Sequence, residues 1–325
     1  MVLGGRSPRD DTKDESFMTN PPSTEERVWA VLVHLSAMAF GMGLLLPVIG
    51  WSEQRRKSKY ASFHCLQALG YQSLGFTVWL LSYLILMIVF SVVMAFGMAL
   101  MEDNSAQSTS LLFAGFNIVL FIVVIGGFGL YFIFPLIAAA SCALGKDFRY
   151  PIMGDRLARY LGYDPSAASG ELTWLIEEHE DRWVAAMGHV SVIMFLWGML
   201  APLTAWILQG RRSLFVKFQS VQTVVYQAFT NLLYMGSGMV YTFGVVVLLV
   251  FTGFEAVINR DSSIAMIGIV ILIVSMLIAT LIVLLVPLLH ILGQWAGYRV
   301  LKGDEYRYPL IGNWVVRWMG NRESG

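Results

Sequence analysis

The chain alternates long apolar runs with short polar joints. Apolar stretches cover residues 28–51, about 61–101 and 110–144, and a second set covers 183–208, about 216–254 and 264–301. A helix rising ~1.5 Å per residue needs ~20 apolar residues to cross the hydrocarbon core, so each stretch is long enough to span. The pattern predicts an all-α, polytopic membrane helical bundle. The second stretch of each set would reach ~60 Å as one helix, about twice the core thickness. Its start, Lys59 to about Gly70, is therefore expected near the interface, with the span beginning near Tyr71.

The second set of stretches repeats the first. When residues 25–72 are shifted by 155 positions, about seventeen of 48 match identically, among them His34/His189, Ser36/Ser191, Gly43/Gly198, Pro47/Pro202, Gln67/Gln222 and Gln72/Gln227. At a shift of 158, Gly145 and Arg149-Tyr150-Pro151 fall on Gly303 and Arg307-Tyr308-Pro309. So many polar positions do not hold one register by chance. The sequence predicts a polar, disordered tail over 1–24, membrane modules over 25–160 and 180–320, and an acidic, Ser/Ala/Gly-containing linker over 161–179. The tail carries no signal-peptide pattern, and the segment from Lys302, with Tyr306, Tyr308, Trp314 and Trp318 beside Arg307, Arg317 and Arg322, suits the headgroup level.

Charge bears on how each module crosses. One crossing per stretch would divide the 22 Lys and Arg almost evenly between the two sides, against the usual bias of membrane proteins. If the first stretch of each module instead enters and returns on one side, every cation except Arg260 shares that side. The loops 102–109 and 255–263 then lie opposite. Gly41-Met-Gly43 followed by Pro47 interrupts the first stretch, and Gly198 and Pro202 interrupt its copy, as a turn inside the membrane requires. Each module then reads as a Gly/Pro-broken helical hairpin plus two long transmembrane helices. Full spans with internal Gly and Pro remain the other reading of 28–51 and 183–208. Both termini are expected in the cytoplasm.

Composition agrees with a lipid setting: 57% of residues are hydrophobic and 14% charged, and mean hydropathy is +0.64. The 22 basic and 22 acidic residues balance, so nothing points to nucleic acid. Cys65 and Cys142 form neither a disulfide framework nor a metal set alone.

The candidate polar residues match between the repeats. Arg27 and His34, like Arg182 and His189, share a helix face at a spacing of seven. An ionisable residue inside a membrane is a functional candidate by default, as a gate or pH-sensitive contact. The plainer role is a hydrogen bond to a hairpin carbonyl. Two histidines without a third protein ligand make a poor metal site, so no metal or cofactor is expected. Phe63, Gln67 and Tyr71 share a face, as do Phe218, Gln222 and Tyr226; with Gln72 and Gln227 they could line a polar path or bond neighbouring helices. Asn117 and Asn231 take the second role. The clusters Arg55, Arg56, Lys57, Lys59 and Arg211, Arg212, Lys217 read first as topogenic, lipid-headgroup residues. His64 and His290, unmatched between copies, read as incidental. Gly126-Gly127-x-Gly129 and Gly293-x3-Gly297 offer small-residue surfaces for helix packing. Ser36 and Ser191 lack an acid partner and an oxyanion signature.

The run Glu26–Ser36, Pro47 with Trp51 and its basic patch, the Phe63/Gln67/Gln72 helix start and the closing Gly145–Pro151 resemble the bacterial domain of unknown function 4870. That family is itself distantly similar to the plastid Tic import translocon channel component. Residues 25–312 are covered, with two modules where the family usually has one. The resemblance implies a helical module of the bacterial inner membrane and no established reaction. No Asp or Glu falls inside a predicted span, and no phosphate loop, zinc motif or nucleophile elbow appears. The expectation is a non-enzymatic scaffold or accessory subunit in the lipid bilayer, with a membrane-protein partner or a second copy. A channel or carrier with a polar path between repeats is the alternative.

Overall fold

The structure, a computed structural model, describes residues 21–100, 106–164, 174–258 and 264–323. Most of the N-terminal tail, most of the linker, Arg260 and parts of both far loops lie outside the described residues, as does the side chain of Arg322. The described chain is helical: α1 Thr24–Leu35, a 3-10 turn Ser36–Leu44, α2 Leu45–Gln54, α3 Lys59–Leu100, α4 Ala106–Ala143 and α5 Gly154–Leu161 form the first repeat. α6 Glu177–Val190, a 3-10 turn Ser191–Met199, α7 Leu200–Gln209, α8 Leu214–Ile258, α9 Ile264–Leu301 and α10 Ile311–Glu323 form the second.

Six stretches are long and apolar enough to cross a membrane: Thr24–Gln54, Lys59–Gly97, Phe113–Ala143, Glu177–Gln209, Leu214–Phe254 and Ala265–Leu301. The first and fourth fold back on themselves. A Cβ on Gly50 would lie 3.1 Å from the indole of Trp29, whereas twenty-one residues of straight helix would part the two by ~30 Å. Gln54 Nε2 also donates to Glu25 Oε1 at 3.4 Å, tying the hairpin's two ends together. In the second hairpin a Cβ on Gly188 would lie 3.3 Å from Pro202. Each repeat is thus a broken hairpin followed by two long helices.

The break has a different cause from the one the sequence suggests. The backbone leaves helical space at Phe40 (φ 53, ψ −131) and at its counterpart Phe195 (φ 55, ψ −136). A side chain is crowded there, at a cost of ~1–3 kcal/mol. Pro47 and Pro202 sit in the first turns of α2 and α7, where a missing N–H breaks no helical bond. They start helices rather than end them. Gly43 and Gly198 are needed for closeness: a Cβ there would meet the carbonyl oxygens of Ser36 and Ser191 at 2.1 and 2.0 Å. At the other end, Ser23 caps α1, accepting from the Glu26 N–H at 3.3 Å while Glu26 Oε2 accepts from the Ser23 N–H at 2.6 Å. This box is worth ~1 kcal/mol.

One apolar core runs through both repeats, with Val33, Trp51, Leu66 and Leu69 packed alongside Trp183, Ala186, Met187 and Val190. The two 3-10 turns touch, and a Cβ on Gly41 would meet Trp197 at 2.3 Å. The Trp183 indole donates to the Leu66 carbonyl at 2.9 Å. The first turns of α3 are buried in protein, and its apolar side chains become exposed from Val78 on. Exposed Ile88 and Phe96, Leu232 and Met239, and Leu277 and Leu284 mark the lipid-facing surfaces of α3, α8 and α9.

The long helices pair differently in the two repeats. α8 and α9 stay together far along their length, where Ser237 Oγ donates to the Ala279 carbonyl at 3.0 Å and a Cβ on Gly244 would meet Ser275 at 2.7 Å. Between α3 and α4 lies an apolar groove of about 550 Å³ lined in part by Val78, Trp79, Val123 and Leu130. Of that glycine cluster only Gly127 packs closely, a Cβ there standing 3.0 Å from the Trp79 indole, whereas a Cβ on Gly126 or Gly129 would meet nothing within 4 Å. Gly293 and Gly297 form a packing surface: α9 lies so close to α6 that a Cβ on Gly297 would stand 3.0 Å from the Ala186 carbonyl.

Candidate functional site

The repeat-matched polar residues gather beneath each hairpin turn. His34 sits at the end of α1 and His189 at the end of α6, both fully buried. The closing Arg-Tyr-Pro segment returns a tyrosine to each. His34 Nδ1 and the Tyr150 hydroxyl are 3.0 Å apart, and His189 Nδ1 and the Tyr308 hydroxyl are also 3.0 Å apart. Tyr150 stacks on Tyr71 at 4.1 Å and Tyr308 on Tyr226 at 3.9 Å. Burial pushes both closing phenols well above their usual range, so they stay neutral hydrogen-bonding groups. Tyr308 is therefore a core residue rather than a headgroup anchor, whereas Trp314 on α10 is exposed.

The glutamines staple backbone. Gln67 Nε2 donates to the Phe148 carbonyl at 3.0 Å, and its Oε1 accepts from the Tyr150 N–H at 3.0 Å. Gln222 does the same with the Tyr306 carbonyl at 2.8 Å and the Tyr308 N–H at 3.2 Å. Gln72 reaches the Val33 carbonyl at 3.3 Å and Ser36 Oγ at 3.0 Å. Gln227 reaches the Gly188 carbonyl at 2.8 Å and Ser191 Oγ at 3.4 Å. The break at the hairpin tip frees carbonyls that hydrocarbon cannot satisfy, and these amides satisfy them. Ser36 and Ser191 bond the Val33 and Gly188 carbonyls in turn.

The histidines' second nitrogens meet different partners. His189 Nε2 lies 3.0 Å from Gln219 Oε1, and the Thr223 hydroxyl is 2.8 Å from its Nδ1. His34 Nε2 lies 3.1 Å from His64 Nδ1. His64 in turn has Cys142 Sγ at 3.6 Å from Nδ1 and Asp147 Oδ1 at 3.5 Å from Nε2. His64 is thus not incidental, and the absence of a counterpart in the second repeat is what distinguishes it. Its sequence signal was present: His64 lies one residue after Phe63, on the buried start of α3. Its partners lie 30 residues before it and some eighty residues after it, beyond the reach of any spacing rule. His290, by contrast, faces the Tyr234 ring.

The basic clusters separate. Arg55 is buried, against the headgroup role expected of it. It donates to Gln209 Oε1 at 3.1 Å and Asp181 Oδ1 at 2.9 Å, lies 3.4 Å from carboxylate oxygens of Glu177 and Glu180, and stacks over Trp51. It bridges the two repeats. Arg56 pairs with Glu177 and Lys57 with Glu53 at the surface. Arg211 and Arg212 are exposed, and Lys59 and Lys217 half-buried. A polar cleft of about 620 Å³ opens here, lined by Ser52, Arg56, Glu177, Gln209 and Arg212 with Arg55. Arg27 lies near Gly145, and Arg182 donates to Glu178 at 2.9 Å and to the Val300 carbonyl at 3.4 Å. Asn117 bonds the Phe113 carbonyl of its own helix and, among the described residues, no neighbouring helix, while Asn231 reaches Met199 Sδ of the hairpin.

Fold and site together define a helical membrane protein of two like modules, with its matched polar side chains drawn inward to hold two hairpins. The profile of the magnetosome magnetite crystal formation protein family matches residues 25–157 and again 180–315. The chain belongs to that family and carries its module twice in tandem. No curated protein and no solved structure matches the chain. The match establishes a tandem membrane family; it does not extend to the narrower likeness to domain of unknown function 4870 or to the Tic component.

Proposed function

We propose that this protein is a non-enzymatic scaffold or accessory subunit of the membrane machinery that forms magnetite crystals, working with a membrane-protein partner or a second copy of itself. The observation that carries the reading is where the polar residues go. His34, His189, Gln67, Gln222, Gln72 and Gln227 are all buried and hydrogen-bonded to their own module. Side chains used in this way stiffen a framework and leave its apolar outer faces for lipid and partners. The expected setting is the bacterial inner membrane, with both termini and the basic clusters on the cytoplasmic side.

Purification of the full chain in mild detergent should return a stoichiometric partner or a homo-oligomer. A solitary monomer would remove the reading. The channel or carrier alternative draws on the polar cleft beside Arg55, which opens between the repeats. Flux through liposomes that disappears on filling the cleft, for example with Gln209→Trp, would favour that alternative.

A further inference from the structure

The first repeat's pocket carries a donor set that its twin lacks. His64 stands where the second repeat has Gln219, Cys142 where it has Val300, and Asp147 where it has Glu305. In the second repeat, glutamine and threonine complete the hydrogen bonding of His189. In the first, ligand atoms of His34, His64 and Cys142 all lie within 4.8 Å of one another, on three buried side chains.

Two edges of this triangle have the size of a coordination site, and the third is no longer than 4.8 Å. A tetrahedral ion with bonds of ~2.0 Å to nitrogen and ~2.3 Å to sulfur requires N···N and N···S edges of ~3.3 and ~3.5 Å. His34 Nε2 and His64 Nδ1 are 3.1 Å apart, and Cys142 Sγ is 3.6 Å from His64 Nδ1 and 3.9 Å from its Nε2, so a turn of the Cys142 side chain is needed to bring the sulfur in front of Nδ1. Each imidazole also has an orienting partner on its far nitrogen, the Tyr150 hydroxyl at 3.0 Å from His34 Nδ1 and Asp147 Oδ1 at 3.5 Å from His64 Nε2. A metal-bound histidine takes such a partner, which fixes the tautomer that leaves the other nitrogen free to ligate. Asp147 is itself held, accepting from the Tyr163 hydroxyl at 3.2 Å and from Arg149 Nε at 3.2 Å.

We propose that His34 Nε2, His64 Nδ1 and Cys142 Sγ bind one zinc-like divalent transition-metal ion, tying α1, α3 and α4 together beneath the first hairpin. Two imidazoles and a thiolate select a borderline ion over Mg²⁺ or Ca²⁺, and Fe²⁺ binds them more weakly than Co²⁺ does. The fourth position is left to water.

The test uses the full chain in mild detergent under reducing conditions, with Co²⁺ as the probe and Zn²⁺ and Fe²⁺ as competitors. The expected result is a thiolate-to-cobalt charge-transfer band with tetrahedral d–d bands at one ion per chain, bleached readily by Zn²⁺ and poorly by Fe²⁺. The variant H64Q/C142V installs residues the second repeat already folds with, so it should keep a cooperative thermal transition and lose the bands. C142S should lose the charge-transfer band if H64Q/C142V does not fold. D147N should keep the bands with ~10-fold weaker affinity. The proposal is overturned if the native chain gives no thiolate band, or if C142S or folded H64Q/C142V gives the same bands as the native chain. The triangle is then a hydrogen-bonded His–His pair beside a thiol.

Discussion

His189 meets Tyr308, Gln219 and Thr223; His34 meets Tyr150 and His64, with Cys142 and Asp147 one step further out. Both pockets share the frame of a broken hairpin, a closing tyrosine stacked on a helix tyrosine, and two glutamine staples. The frame is what two copies of a module need to keep irregular backbone in lipid, so it is matched. The filling is what one copy can change without losing the fold, so it diverges. The same contrast holds where the modules meet: Arg55 occupies the position of Gly210, and Trp183 that of the exposed Val28. The inter-repeat contact is therefore lopsided although the modules are alike.

The largest expected effect tests that lopsidedness. Arg55→Ala leaves Glu180 and Asp181 buried without their cation and should destabilise the protein by ~3–5 kcal/mol, because an uncompensated interior charge is costly. Thermal unfolding in detergent measures it, and a loss below ~1 kcal/mol would mark Arg55 as a surface cation after all. Next come the close approaches. Gly43→Ala and Gly198→Ala drive a methyl into the Ser36 and Ser191 carbonyls and should each cost ~1–3 kcal/mol, nearly equally; a wide gap would break the equivalence of the two frames.

Smaller effects sharpen the difference in filling. Tyr150→Phe and Tyr308→Phe each remove one buried hydrogen bond, worth ~1 kcal/mol in unfolding experiments. If the first pocket holds an ion, Tyr150→Phe also lowers its affinity, while Tyr308→Phe leaves metal content unchanged. Smallest of all, Lys57→Ala and Arg211→Ala should stay within ~0.5 kcal/mol, since both cations are exposed.

Much of the frame was legible in the sequence because it recurs. The register that pairs His34 with His189 and Gln72 with Gln227 exposed the tandem, and the distribution of cations argued for the hairpin against a plain hydropathy reading. The break itself was misplaced. Proline and glycine are the residues that usually mark a turn, yet Phe40 and Phe195 carry it, held in a crowded conformation by what packs around them. The metal-type cluster was hidden for the opposite reason. His64 and Cys142 have no like counterparts in the second repeat, where Gln219 and Val300 stand, so the comparison that exposed the frame passed over them. Only the return of the 145–151 segment brings Asp147 and Tyr150 to the end of α1. Arg55 looked like its neighbour Arg56 because sequence shows charge and not depth.

The mutual contact of the two 3-10 turns has a consequence for assembly. Gly41 is covered by Trp197 of the other repeat, so half of the chain expressed by itself would leave that glycine face uncovered. The tandem is in effect a dimer whose subunits were joined by gene duplication. Its halves, produced as separate polypeptides, should find each other again in the bilayer.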